Sequence, residues 1–130
     1  MKKINLTLKD ILKANQNEPV EKSMPMVAEG LATAYVFVAV NAPTPEDIEF
    51  MMAQDKNGKL WLYCFTDQEE FSKAFPSGGQ FAEMAFSDLF QTIEPEERFG
   101  GVFLNSKSDA KYPVPREMFG YLKKIIARNA

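Results

Sequence analysis

The sequence contains no histidine, a single cysteine and no apolar run of membrane-spanning length. Each absence removes a class of function. Without histidine, Ser-His-Asp and Cys-His catalysis lack their base. Zinc sites built from Cys and His need several such ligands and cannot form within one chain. One thiol cannot make a disulfide framework. The longest apolar stretch, Ala32 to Val40, falls well short of the roughly 18 residues a membrane span needs and reads instead as a buried strand. Basic charge is not in excess either, since 15 Lys and Arg face 18 Asp and Glu for a net charge of −3. No stripe of basic and aromatic residues offsets that balance, which argues against nucleic acid.

Other chemistry remains open. At 130 residues and 14.7 kDa the chain has the length of one domain, enough to bury roughly two-thirds of its unfolded surface. Apolar residues at 45% and charged residues at 25% are a globular balance rather than a disordered one. The N-terminal Met1-Lys2-Lys3-Ile4-Asn5-Leu6-Thr7-Leu8-Lys9-Asp10 is interrupted by Asn5, Thr7 and Lys9, so it does not read as a signal peptide. Cys64 lies within Leu60-Trp61-Leu62-Tyr63-Cys64-Phe65, where a thiol acts as a small core side chain. A reducing cytoplasm is the expected compartment.

Hydrophobic periodicity and turn signals outline the elements. Thr7 is placed to cap a helix through about Asn15, with Leu8, Ile11 and Leu12 on one face. Residues 16–30 are polar and interrupted by Pro19 and Pro25, and read as a connector. Ala34 to Val40 is apolar on both alternating faces, the pattern of a central strand covered on both sides. Residues 41–47, with Pro43 and Pro45, read as a loop. Ile48 to Gln54 and Leu60 to Phe65 form a hairpin around Asp55-Lys56-Asn57-Gly58-Lys59, where Asn-Gly suits positive φ angles. Thr66-Asp67-Gln68-Glu69 reads as a capping box opening a helix with Phe71, Ala74 and Phe75 on one face. A strand over Gln80 to Phe86, a helix capped by Ser87, and a strand over Gly100 to Asn105 follow. Pro113 and Pro115 precede a final amphipathic helix carrying Met118, Phe119, Leu122, Ile125 and Ile126, with Pro115 in its first turn. Strands and helices interleave, so the predicted fold is α+β or α/β: one compact domain with a mixed sheet of about five strands packed with helices. Residues 1–30 would supply an N-terminal helix and connector, and residues 31–130 the body.

Three of these segments resemble a known family. Leu62-Tyr63-Cys64-Phe65-Thr66-Asp67-Gln68-Glu69-Glu70-Phe71 is similar to the apolar strand and acidic helix start of the SseB N-terminal domain family. Phe86-Ser87-Asp88-Leu89-Phe90 resembles its next helix start, and Gly101-Val102-Phe103-Leu104-Asn105 its glycine-led strand ending in Asn. The early strand Ala34 to Val40 stands in the matching place, so the resemblance spans roughly residues 30–126. Ser106 stands where the family usually has proline. The resemblance implies an α+β domain of bacterial cytoplasmic proteins and no established catalytic residues.

Among candidate site residues, Thr66, Asp67 and Asn105 stand at strand ends, where open sheets tend to place ligands. Local backbone chemistry explains the same three as a helix cap, a favourable charge on the helix dipole and a turn residue. Ser77-Gly78-Gly79 follows a helix and precedes a strand, the reverse of a phosphate loop. The pairs Glu69/Glu70 and Glu96/Glu97 point in different directions and read as solvated. Charge is segregated along the chain. Residues 67–97 hold eight acids and one base, and residues 98–130 hold seven bases and two acids. Clusters of Phe and Met near 50–52, 81–86 and 118–121 are candidates for an exposed apolar patch.

The expected function is a non-catalytic domain that binds a protein partner, associates with itself or takes a small ligand, without cofactor, metal, nucleic acid or membrane. The alternative is a small-molecule hydrolase, or another enzyme, that uses carboxylates and hydroxyls without histidine.

Overall fold

The computed structural model describes residues 2–41 and 49–129. The loop expected over residues 41–47 therefore lies, beyond Asn41, outside the described residues, as does Ile48. The elements run α1 (Lys2–Ala14), α2 (Val20–Ala32), β1 (Tyr35–Asn41), β2 (Glu49–Phe50), β3 (Met52–Gln54), β4 (Leu60–Phe65), α3 (Gln68–Ala74), β5 (Gln80–Ala85), α4 (Phe86–Ile93), β6 (Phe99–Leu104), β7 (Tyr112–Pro115), a 3-10 turn (Arg116–Met118) and α5 (Phe119–Arg128). All seven strands join one mixed sheet.

Strand β1 carries β5 along one side and, on the other, β4 at Phe37 and Val38. Past Val38, β1 and β4 separate, and the β2–β3 segment enters between them. Val40 pairs with Phe50, and Met52 pairs with Leu62. Met51, between β2 and β3, keeps the ladder through an N–H bond to Ala39 O of 3.0 Å. Strands β4 and β6 are parallel, and β7 closes that flank antiparallel to β6.

The two sheet faces are unequal. Val36, Val38, Leu62, Cys64, Val102, Leu104, Tyr112 and Val114 point to one face and share a core with α1, α2, α4 and α5. Cys64 is fully enclosed there, and burial pushes its thiol well up. Among the described residues the other face receives only α3, which packs Phe71 and Phe75 on Phe37 and Phe65. This covers the β1 side and leaves β4, β6 and β7 bare where Trp61, Tyr63, Phe103 and Pro113 emerge.

Several boundaries differ from the sequence expectation, each for a physical reason. Helix α1 begins at Lys2, so Thr7 lies inside it rather than capping it. Residues 20–32 form helix α2 despite Pro25, because Met24, Val27, Ala28 and Leu31 recur at helical spacing and are all buried. That burial outweighs the roughly 3 kcal/mol an interior proline costs. Helix α4 starts at Phe86 without a Ser87 cap, and the Phe86 N–H is satisfied by Ala34 O at 2.9 Å. The hairpin does not use Asn57 at positive φ; only Gly58 takes it, and the Asp55 carboxylate holds the turn by accepting from Asn57 N and Lys59 N. Pro113 and Pro115 lie in strand β7 rather than in a connector, because Tyr112 and Val114 alternate inward, and Pro115 precedes a 3-10 turn rather than entering α5. The Arg116 guanidinium that follows binds the carbonyls of Ile93, Glu94, Glu96 and Phe99, closing the end of α4. Of the Phe and Met clusters, Met51, Met52, Phe81 and Tyr121 are exposed, with Phe50, Met51 and Met52 lining one cavity together, while Phe86 and Phe119 are core.

Trp61 pairs with Gly101 across the parallel ladder. A Cβ on Gly101 would stand 2.3 Å from Val114 O and 2.7 Å from Trp61 Cζ3, so only glycine fits beneath the indole. Gly120 in α5, by contrast, has nothing within 4 Å of its missing Cβ. Urea unfolding followed by circular dichroism should show Gly101→Ala losing at least about 2 kcal/mol by overpacking. Gly120→Ala should be neutral or gain up to about 1 kcal/mol from helix propensity. Equal effects at the two positions would contradict this packing.

Candidate functional site

Thr66, Asp67 and Asn105 converge where the parallel strands β4 and β6 end. Asn105 N donates to Cys64 O at 2.9 Å, continuing the ladder, and Asn105 Oδ1 then accepts from Thr66 N at 3.0 Å. The asparagine side chain thus replaces a backbone carbonyl for one step beyond the strand. Its Nδ2 donates to Thr66 Oγ1 at 3.2 Å and to Ala110 O at 3.4 Å. Asn105 also adopts φ of 51°, a left-handed conformation that Asn tolerates better than most residues. Both Thr66 and Asn105 are 0% exposed, and their polar atoms face one another.

The capping residue of α3 is Asp67, not Thr66. Its Oδ1 accepts from Glu70 N at 2.9 Å, which shifts the cap one residue along from the Thr66–Glu69 box. Glu70 becomes the N3 residue, and its side chain is fully buried rather than solvated. One cation holds the cluster together. Lys9 Nζ of α1 lies 2.9 Å from Glu70 Oε2, 3.0 Å from Glu69 Oε1 and 3.3 Å from Asp67 Oδ2. Lys73 adds a second contact to Glu70 Oε2 at 3.1 Å. The three carboxylates lie within 4.8 Å of one another, close enough for a metal, but the Lys9 ammonium already stands among them.

Burial alone would push the Glu70 carboxyl up, but hydrogen bonds from Lys9, Ser108 and Lys73 outweigh it and hold the group below its ordinary value. Lys9 also loses hydration in this place, which opposes its charge, yet its bonds to Glu70, Glu69 and Asp67 raise its pKa. Of the two Glu70 oxygens, Oε2 takes both ammonium groups and Oε1 has no hydrogen bond.

The sequence reading did not single out the bare face. There Trp61 Nε1 donates to Asp55 Oδ2 at 2.9 Å, which fixes the indole. A cavity of about 320 Å³ lies against Trp61, Tyr63, Phe103 and Pro113. A second, of about 300 Å³, lies against Tyr63, Phe103, Phe75 and Lys107. Tyr63 and Phe103, register partners on β4 and β6, line both, so the two cavities adjoin along the face between α3 and β7, and together they make up a trough interrupted at that pair. The available signal was Trp61-x-Tyr63-x-Phe65, an alternation placing three aromatics on the face opposite Leu62 and Cys64.

These features define a class: an α+β domain with, among the described residues, four helices on one face of a mixed sheet, one on the other, and a polar junction closed on itself at the strand ends. The SseB protein N-terminal domain matches residues 8–119, and the chain belongs to that family. Neither the curated proteins nor the solved structures yielded a match. The match begins inside α1, whose Leu8 and Leu12 already belong to the main core.

The Lys9–Glu70 pair makes stability depend on acid. Because the folded Glu70 pKa is lowered, its contribution is fully present above the ordinary glutamate value of 4.5 and is lost as pH falls through the folded value. Urea midpoints at neutral pH and at about pH 3.5 should therefore show a steeper acid loss in the parent protein than in Glu70→Gln. Lys9→Met should cost up to about 3 kcal/mol at neutral pH, since it leaves the buried Glu70 carboxylate with Lys73 as its remaining ammonium partner. Identical acid slopes in the parent and Glu70→Gln would refute this assignment.

Proposed function

We propose that the domain is a non-catalytic association module whose working surface is the bare face of the sheet. The observation that carries this reading is the contrast between the two candidate regions. Thr66, Asp67 and Asn105 direct their polar atoms at one another and at α3, in keeping with a framework role. Among the described residues no helix crosses the aromatic trough over β4 and β6. An apolar strip of this kind, edged by polar groups, is the usual mark of a partner surface.

The rival reading, an enzyme working through carboxylates and hydroxyls, finds less support. A general acid needs a carboxyl raised toward neutrality. Asp55, Glu70 and Asp109 are all displaced downward, by hydrogen bonds or neighbouring cations. The absence of a membrane-length apolar helix among the described residues fits an aqueous partner. A cytoplasmic site of action agrees with the enclosed, unpaired Cys64.

A photo-crosslinking residue tests the surface directly in cells. Position 63 lies in the trough, and position 121 is exposed on α5, on the helical side. Benzoylphenylalanine in place of Tyr63 should give discrete adducts, whether with another protein or with a second copy. The same residue in place of Tyr121 should not. Adducts from position 121 alone, or from neither, would overturn the assignment of the working face.

A further inference from the structure

We propose that the trough receives an extended, apolar segment of a partner protein that carries a carboxylate at the α3 end, where Lys107 meets it. The proposal rests on the bare face being the working surface, and adds the chemistry of what binds there.

The trough has a length and a polarity. Trp61 and Phe65 are four residue steps apart, which is about 13 Å along β4. A polyproline-type segment rises about 3.1 Å per residue, so roughly four residues span that distance. The floor is aromatic and suited to proline or aliphatic side chains, which pack on ring faces without needing polar partners. The two ends differ. At the β3–β4 hairpin end the Trp61 N–H is already spent on Asp55, so that end offers packing but no spare indole donor. At the other end Tyr63, Ser106 and Lys107 line the cavity beside Phe75. Among the described residues the Tyr63 phenol, the Ser106 hydroxyl and the Lys107 ammonium make no hydrogen bond or ion pair.

Charge identifies what those donors call for. The acidic block is largely answered inside the fold: Lys9 and Lys73 meet Glu70, Lys123 meets Glu94, and Arg98 meets Glu96. Lys107 belongs to the basic block and stays exposed beside the aromatic trough. An ammonium and two hydroxyls suit a carboxylate. One exposed cation is too little for a nucleic-acid backbone, which demands several. Strand addition at the neighbouring edge is disfavoured, because Pro113 and Pro115 in β7 have no N–H to offer. The segment would therefore lie over the face, held by side chains.

Two blocked peptides in a titration of isotope-labelled protein test this. One is Pro-Pro-Leu-Pro-Pro-Glu-Glu, and the other replaces both glutamates with glutamine. Amide shifts should cluster on residues 61–63 and 103–107, with the glutamate peptide at least about fivefold tighter. Lys107→Glu, an exposed change that leaves the core intact, should remove that preference while the glutamine peptide binds as before. Equal affinity of the two peptides, shifts confined to the helical face, or no binding up to about 2 mM would overturn the proposal. Dilution-dependent shifts at the same residues without peptide would assign the trough to a second copy, and overturn it as well. Crosslinks from position 63 without peptide binding would reject only the ligand chemistry. Absence of both would reject the working face itself.

Discussion

The Lys9 ammonium joins parts of the fold that nothing else connects so directly. Helix α1 belongs to the layer on the crowded face of the sheet, and α3 lies alone on the opposite face. They meet around the strand ends, where Lys9 reaches Asp67, Glu69 and the enclosed Glu70. A buried carboxylate is costly unless its charge is answered, and Lys73 of α3 meets only part of that need, so α1 adds to the stability of α3 in this position. Because α3 also forms one wall of the aromatic trough through Ala74 and Phe75, the same contact sets the width of the proposed binding surface. Charge pairing on one side of the molecule thus shapes an apolar feature on another.

The sheet is covered unevenly because its strands carry unequal side chains. Toward the main core they present Val, Leu and Cys, which four helices can enclose. On the other face Phe37 and Phe65 receive α3, while Trp61 lies across Gly101. The indole is fixed by Asp55, the residue that also holds the hairpin turn. Turn chemistry and surface shape are therefore the same problem at this corner. A side chain that organises five residues of loop also aims the largest ring on the open face.

Much of this was legible in the residues. The strands Ala34–Val40, Leu60–Phe65 and Gly100–Asn105 announced themselves by apolar runs, and the last helix by Leu122, Ile125 and Ile126 at helical spacing. The places of Thr66, Asp67 and Asn105 at strand ends are legible in the sequence, but that β4 and β6 are neighbours is not, because strand order depends on pairing between distant segments. What escaped was governed by tertiary contacts or by rules read too strictly. Pro25 reads locally as a breaker, although Met24, Val27, Ala28 and Leu31 bury enough to keep α2 intact. Pro113 and Pro115 obscured an edge strand that tolerates them. The cap was set one residue early, because Thr-x-x-Glu and Asp-x-x-Glu overlap at 66–70 and only the Asp67 carboxylate reaches Glu70 N. Lys9 gives no local sign of its role, since its partners lie some 60 residues away.

The prolines of β7 have a consequence for how the protein behaves in a crowd. An exposed sheet border is normally a template, because its unused amide hydrogens and carbonyls invite any extended chain to continue the pattern. Here two of the four residues on that border, Pro113 and Pro115, can never donate. A stray strand arriving there would find only half a vocabulary. The flank beside the aromatic trough can thus keep a sticky face without becoming a seed for the growth of sheet from molecule to molecule.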